Sequence, residues 1–374
     1  MHRAQAGRRM RTAAPAIRSG APGAAGPLLP ALLLAIASCA GDERAPLREA
    51  RFFAFGTVIE LVLWEPDEER ARRAERFVAA ELTRLHEAWH PWRPSGELAE
   101  INRRLSAGQS ATAGPRMRGL LLAAAAGYER SGGLFNPTLG RLVELWNFHD
   151  EELPGRRPPP ERLSQLLQDL PGMEDLQIEG ATLYSGNRHL LLDFGGIAKG
   201  YALDRIVIRL KEMGVQNAIL NAGGDLRAIG RRGDRHWRIG IRHPRGRGIM
   251  AALEVRDGES VFTSGDYERF FFGKEDGEDG AAGRGEERRY HHILDPRTGY
   301  PARGTVSVTV VHASAAMADA AATALFVAGP ERWRQTAQAM EVDHVLLVDE
   351  EGRVFLSDAL AGRLQPELGE RLPL

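Results

Sequence analysis

The stretch "LLLDFGGIAKGYALD", Leu190 to Asp204, places an acid, two adjacent glycines and a lysine directly after an apolar run. Asp193 closes the run, Gly195 and Gly196 let a backbone approach a ligand closely, and the exposed amides that open the next helix favour an anion. Three chemistries use a turn of this kind: a kinase-like metal aspartate, a phosphate-cradling loop, and the strand-to-helix turn of some other nucleotide enzyme. A kinase also needs a glycine-rich loop on its first hairpin, a lysine on a third strand and an HRD-type catalytic loop, and the chain has none of them. "GGIAKG" lacks the spacing and the trailing Ser/Thr of a P-loop, so Lys199 is not a Walker lysine. What survives is a strand, a glycine turn and a helix from Tyr201 to Met213.

Working outward, the strand Ala218 to Leu220 leads into a second glycine turn, "NAGGDLRAIG", Asn221 to Gly230. Alone, Gly-Gly after a strand is an ordinary turn, but two such turns in one domain favour a nucleotide site. Arg51 to Trp64, rich in aromatic and β-branched residues, reads as a strand. Pro66-Asp67 opens a helix whose Ala71, Ala74, Phe77, Val78, Leu82 and Leu85 share one face. Pro115 to Tyr128 and Leu163 to Leu170 read as helices, and Trp237 to Ile241, Ala251 to Val255 and Thr305 to Val311 as strands. "SAAMADAAATALFVAGP" is a helix with Pro330 just beyond its end. Helices mixed with largely antiparallel strands predict an α+β fold rather than a doubly wound sheet.

The first forty residues differ from the rest. Arg8, Arg9, Arg11 and Arg18 precede "GPLLPALLLAIASCAG", an apolar run suited to a signal peptide and short for a membrane span. Cys39 is the sole cysteine of the 374 residues, so no disulfide forms within the chain. The expected organisation is a signal peptide with lipobox at 1–39, a tether at 40–50, one domain at 51–360 and a tail at 361–374. "GKEDGEDGAAGRGEERR", residues 273–289, reads as a mobile insertion. A formal net charge of −1 leaves no global field for nucleic acid, so a charged ligand must be held locally.

Two further constellations carry chemistry. In "MADAAATALF", Asp319 and Thr323 lie four apart, so a carboxylate and a hydroxyl face one way from a face of small residues. Such hard oxygens suit Mg²⁺; the plainer alternative is that Asp319 caps a loop and Thr323 bonds its own helix backbone. In "YHHILDPRTGYPARG", His291 and His292 enter a turn from a strand, as metal ligands, a base, or ordinary half-exposed strand residues.

Together the blocks resemble the FAD:protein FMN transferases, the ApbE family. The resemblance covers nearly all of the chain after the leader. It is carried by "FGT" (Phe55 to Thr57), "WRPSGELAEIN" (Trp92 to Asn102), "GLFNPTLGRLVELWNF" (Gly133 to Phe148), "DFGGIAKGYALD", "NAGGDL", "HHILDPRTGYP" and "ADAAATAL". It implies a T-fold-like architecture and a Mg²⁺-dependent enzyme that splits FAD, joins FMN to a threonine or serine hydroxyl of a flavoprotein, and releases AMP. It also implies a lipoprotein on the periplasmic face of the membrane, lipidated at Cys39, with an acceptor subunit in a membrane redox complex. By resemblance, Asp319, Thr323 and the carbonyl of Gly196 hold the metal, and Phe55, Trp92, Phe135, Asn136, Thr138, Asp193 and Lys199 contact FAD. His292 is the base for the acceptor hydroxyl, with His291 as backup.

Three positions depart from the family's commonest pattern: Phe55 stands for methionine, Trp92 for tyrosine and Asn136 for aspartate. The first two keep a ring-stacking surface, and the third loses a charge but keeps its hydrogen-bonding capacity. The same site with water as acceptor is a Mg²⁺-dependent FAD pyrophosphatase, and without turnover it is a lipid-anchored flavin carrier.

Overall fold

The structure is a computed structural model, and it describes residues 47–149, 155–274 and 287–366. Its centre is an eight-stranded, wholly antiparallel sheet. Across the sheet the strands run Leu47–Ala54, Thr57–Trp64, Ala218–Ala222, Asp225–Ile229, Ser260–Gly265, Thr305–His312, His344–Asp349 and Val354–Leu356. Successive side chains of a strand point to opposite faces, so each strand serves two cores. Leu61, Leu63, Leu220, Val308, Val310, Val345 and Leu347 face the helices Glu68–Trp89, Ala198–Glu212 and Ala315–Ala339. Leu226, Val261, Val311, Leu346 and Val348 face a three-stranded sheet of Trp237–Arg242, Ile249–Val255 and Leu364–Pro366. Coverage on both sides explains why Thr305–His312 is buried along nearly its whole length although its neighbours are antiparallel. The α+β reading with antiparallel sheets therefore holds.

Several local expectations are corrected. Arg51 to Trp64 is not one strand: Leu47–Ala54 and Thr57–Trp64 form a hairpin closed by Phe55-Gly56. Both turn residues have positive φ, 52° and 71°, as a two-residue hairpin turn matched to strand twist requires. Phe55 is held there because its N–H donates to His86 Nδ1 and its ring stacks on Trp89. The hairpin also draws Leu47 to Ala50 out of the expected tether. Leu190 to Asp193 makes a single parallel bridge, Leu139 with Leu191, rather than a strand. The helix from Ala315 stops at Gly329 (φ 74°), and Pro330 opens a further helical stretch.

Gly273, Lys274 and Glu287 to Arg289, expected within an insertion, pair as the base of a hairpin, Phe270–Lys274 with Glu287–His291. Phe271 and Tyr290 on its inner side pack on Trp146 and Phe148, which supplies the core contact that the charged sequence conceals. Leu364–Pro366, expected in the tail, completes the small sheet through Leu253. Residues 275–286 and the proposed signal segment, Cys39 included, lie outside the described residues.

Candidate active site

The Asp193 turn is built by side chains rather than by a sheet. Asn102 grips Leu192 from both sides, its Nδ2 donating to the Leu192 carbonyl (2.9 Å) and its Oδ1 accepting the Leu192 N–H (2.8 Å). Asp193 N–H donates to the carbonyl of Pro137 (2.9 Å), and Asp193 Oδ1 accepts the N–H of Gly195 (2.8 Å). The chain then turns into the helix Ala198–Glu212. A Cβ on Gly200 would meet the Ala315 carbonyl oxygen at 2.2 Å, so only glycine lets this helix lie against Ala315–Ala339. A Cβ on Gly196 would stand 3.0 Å from Thr323 Oγ1 and 3.3 Å from the Phe135 ring, which brings the Gly196 backbone against Thr323.

The start of the second helix is fixed by the last residue of the opening stretch. Asp204 Oδ1 accepts the N–H of Ala315 (2.9 Å), and its Oδ2 accepts the N–H of Ala316 (3.1 Å) and the hydroxyl of Ser314 (3.0 Å). Arg227 pairs with the same carboxylate at 2.7 Å. A carboxylate at a helix N-terminus is favoured by the orphan N–H groups and the dipole. One turn further on, buried Asp319 accepts the Gly200 N–H on Oδ2 (3.0 Å), and Thr323 donates to the Asp319 carbonyl (3.3 Å). Both bonds of the plain structural alternative thus exist. They leave Asp319 Oδ1 without a hydrogen bond from any described residue, and they leave the lone pairs of Thr323 Oγ1, which sits 3.5 Å from Ser264 Oγ.

Three ionisable groups, Lys199, Asp225 and Asp319, converge here. Lys199 Nζ pairs with Asp225, a buried carboxylate whose Oδ1 also accepts the Thr263 N–H (2.9 Å). Burial works against the Lys199 charge, but Asp225 and Asp319 outweigh it and raise the pKa. Asp319 is pushed up to about 7, first by burial; Lys199 opposes the rise, the Asp225 charge adds to it, and the Gly200 N–H opposes it. His292 is held well below the ordinary imidazole value, first by burial and then by the positive charges of Arg269 and Lys199. Its Nδ1 lies 3.2 Å from the Arg269 carbonyl, which only accepts, so Nδ1 carries the proton and Nε2 keeps its lone pair.

The remaining expected site residues fall into two groups. Phe55 and Trp92 are half-buried rings, Phe55 on Trp89 and Trp92 tilted on His149 at 4.8 Å. Phe135 and Thr138 are buried, and Asn136 is half-buried. Phe135 is core, wedged beside Gly127 and Gly196. Asn136 and Thr138 bond each other and the Pro171 carbonyl, with Thr138 wholly buried. Their observed contacts build the wall behind the turn. His291 is committed to the fold: Nε2–H donates to the Ala302 carbonyl (2.9 Å), Nδ1 accepts the Ile293 N–H, and burial lowers its pKa to about 4. That removes it as the backup base. Asp204 and Asp225 were missed as site residues; the aspartate at the end of "GYALD" and the one in "GGDL" are the only signals, and neither states its partner.

The oxygens gathered at this point fit a hard divalent cation. A buried carboxylate with one oxygen unbonded, a hydroxyl on the next turn and the backbone of Gly196 against that hydroxyl match the oxygen preference of Mg²⁺. Among the described residues no three His, Cys, Asp or Glu side chains converge, so such an ion would depend on the hydroxyl and carbonyl oxygens and on substrate.

The chain is similar to known proteins. The chain is 40% identical over 321 residues to an FAD:protein FMN transferase of Rhodobacter capsulatus, covering 86% of this chain and 59% of that protein. It is 36% identical over 220 residues to one from Vibrio cholerae, covering 58% and 62%. The chain thus spans about 60% of the length of these two relatives. Among solved structures, the apbe protein of Thermotoga maritima superposes with a TM-score of 0.75 at 33% identity, covering 85% of this chain and 99% of that one. The flavin transferase ApbE of Vibrio cholerae gives 0.72 at 28%, covering 85% and 100%. The model of the ApbE family matches residues 55–346, a span that holds every residue of the cluster around Lys199, and the chain belongs to that family.

Proposed function

We propose that the chain transfers FMN from FAD to a threonine or serine hydroxyl of a flavoprotein and releases AMP, with Mg²⁺ bound. The observation that carries this reading is the convergence of Lys199, Asp225 and Asp319 on one glycine turn. The acceptor oxygen attacks the FMN-side phosphorus, the bond to AMP breaks, and the hydroxyl proton passes to His292 Nε2. A neutral ring with its other nitrogen pinned to the Arg269 carbonyl is prepared for that proton at neutral pH. Lys199, held by Asp225, supplies a fixed positive charge for the phosphates. Asp319, Thr323 and the Gly196 carbonyl would hold the metal, which supplies charge neutralisation on the pyrophosphate. Phe55 and Trp92 offer rings for stacking on the two ends of FAD. A lipid anchor at Cys39 and a periplasmic location complete the proposal from the sequence.

The test is intact-mass analysis of a flavoprotein domain with a candidate acceptor threonine after incubation with the full chain, FAD and Mg²⁺. An FMN-sized gain that EDTA abolishes is expected. AMP release without any gain, across several acceptor domains, would replace the transferase by a pyrophosphatase.

A further inference from the structure

His291 ends the strand Glu287–His291, and His292 follows it directly. His292 lies in the field of Lys199, and His291 lines a polar cavity of about 340 Å³. At its base, buried Asp266 is held by two arginines: Arg245 donates to both carboxylate oxygens and Arg289 to Oδ1 at 3.3 Å. One carboxylate thus carries two guanidinium groups, and each guanidinium has five N–H donors, more than Asp266 consumes. Arg289 is oriented a second time, with its guanidinium carbon 4.3 Å from the centre of the Phe270 ring and 5.6 Å from that of Phe272. Both rings are exposed, Phe272 by 57%. Elsewhere in the wall Arg288 and Arg303 balance Glu287 and Glu350, so the surplus positive charge belongs to the Arg245 and Arg289 pair.

We propose that this cavity docks an acidic segment of the acceptor protein, an aspartate or glutamate of that segment entering between Arg245 and Arg289 while its neighbours lie on Phe270 and Phe272. The proposal rests on the transfer reading and adds to it how the acceptor is recognised. Guanidinium groups preset in orientation take a carboxylate with little further ordering, and a charged, polar cavity suits a peptide carboxylate rather than an apolar ring. Because His292 directly follows His291 of the cavity wall, a few extended residues, about 3.4 Å each, carry a hydroxyl from the cavity toward His292.

The experiment uses the full chain and a fluorescein-labelled peptide of alternating aspartate and glycine, with its asparagine counterpart as control, read by anisotropy. The acidic peptide should bind at least about tenfold more tightly than the control, and both Arg289→Gln and Arg245→Gln should weaken it by about tenfold. FAD binding, read by flavin fluorescence, should stay unchanged in both variants. Each variant leaves the other arginine on Asp266, and thermal melts check the fold. Equal binding of the two peptides, or undiminished binding by both variants, overturns the proposal, as does inorganic phosphate binding there without any peptide preference. Failure of the transfer reading is a separate outcome: peptide binding intact, but no FMN on any acceptor, which removes the acceptor role.

Discussion

Replacing Asp319 by asparagine should stabilise the metal-free protein while abolishing its activity. The folded pKa of Asp319 is about 7 against an ordinary 3.8, because the side chain is buried beside Asp225. With a raised folded pKa the sign is fixed: the carboxyl is no burden below about pH 4, becomes one as pH rises, and is a full burden above about pH 7. At about pH 8 the penalty reaches about 4 kcal/mol, and at about pH 5.5, where the folded group is mostly protonated, about 2 kcal/mol. Asparagine keeps an oxygen for the Gly200 N–H without the charge. Urea denaturation in EDTA should therefore show Asp319→Asn more stable than the parent, by a margin that widens by about 2 kcal/mol between these two pH values. With FAD and Mg²⁺ the same variant should lose on the order of a hundredfold or more in turnover. A variant less stable than the parent at about pH 8, or a margin that does not change with pH, would refute the reasoning.

Gly200→Ala drives a Cβ into the Ala315 carbonyl and should cost about 2–3 kcal/mol in denaturant unfolding, with loss of turnover as the two helices separate. His292→Asn should lower kcat by about 10²–10⁴ while FAD binding, read by flavin fluorescence, is retained. His291 has a folded pKa lowered to about 4, so its stability contribution is present above about pH 6.5 and lost as pH falls through about 4. His291→Gln should accordingly remove about 3 kcal/mol of the acid-side decline seen in denaturation between those limits.

What could be read in the sequence was local. The helix Glu68–Trp89 follows from apolar residues at three- and four-residue spacing and from Asp67, whose side chain accepts the Arg70 N–H at its start. Asp319 and Thr323 were legible for the same reason, being one turn apart. The hairpin at Phe55 was hidden because a phenylalanine at positive φ depends on His86 and Trp89, which lie over thirty residues away. Leu190 to Asp193 looked like a strand because it is apolar and extended, yet its partners are an asparagine side chain and a loop carbonyl. Asp225 could not be distinguished from any turn aspartate until the fold set it against Lys199. Phe135 and Thr138, implied as ligand contacts by motif, also pack behind the turn, Thr138 through the Pro171 carbonyl and Phe135 beside Gly196.

The central sheet also bears on how the chain reaches this state. Thr57–Trp64, among the first strands synthesised, pairs with Ala218–Ala222, so that Glu60 and Asn221 meet across 161 positions of sequence. Until residue 222 is available, Ile59, Leu61 and Leu63 have no inner neighbour, and the hairpin presents an open edge. Such distant antiparallel pairings close slowly, because the intervening loop must be ordered first. The Lys199 and Asp319 helices pack on the face that this pairing completes. The cluster around Lys199 therefore depends on a pairing between segments far apart in sequence, and the unpaired edge of the hairpin is a surface open to association until that pairing forms.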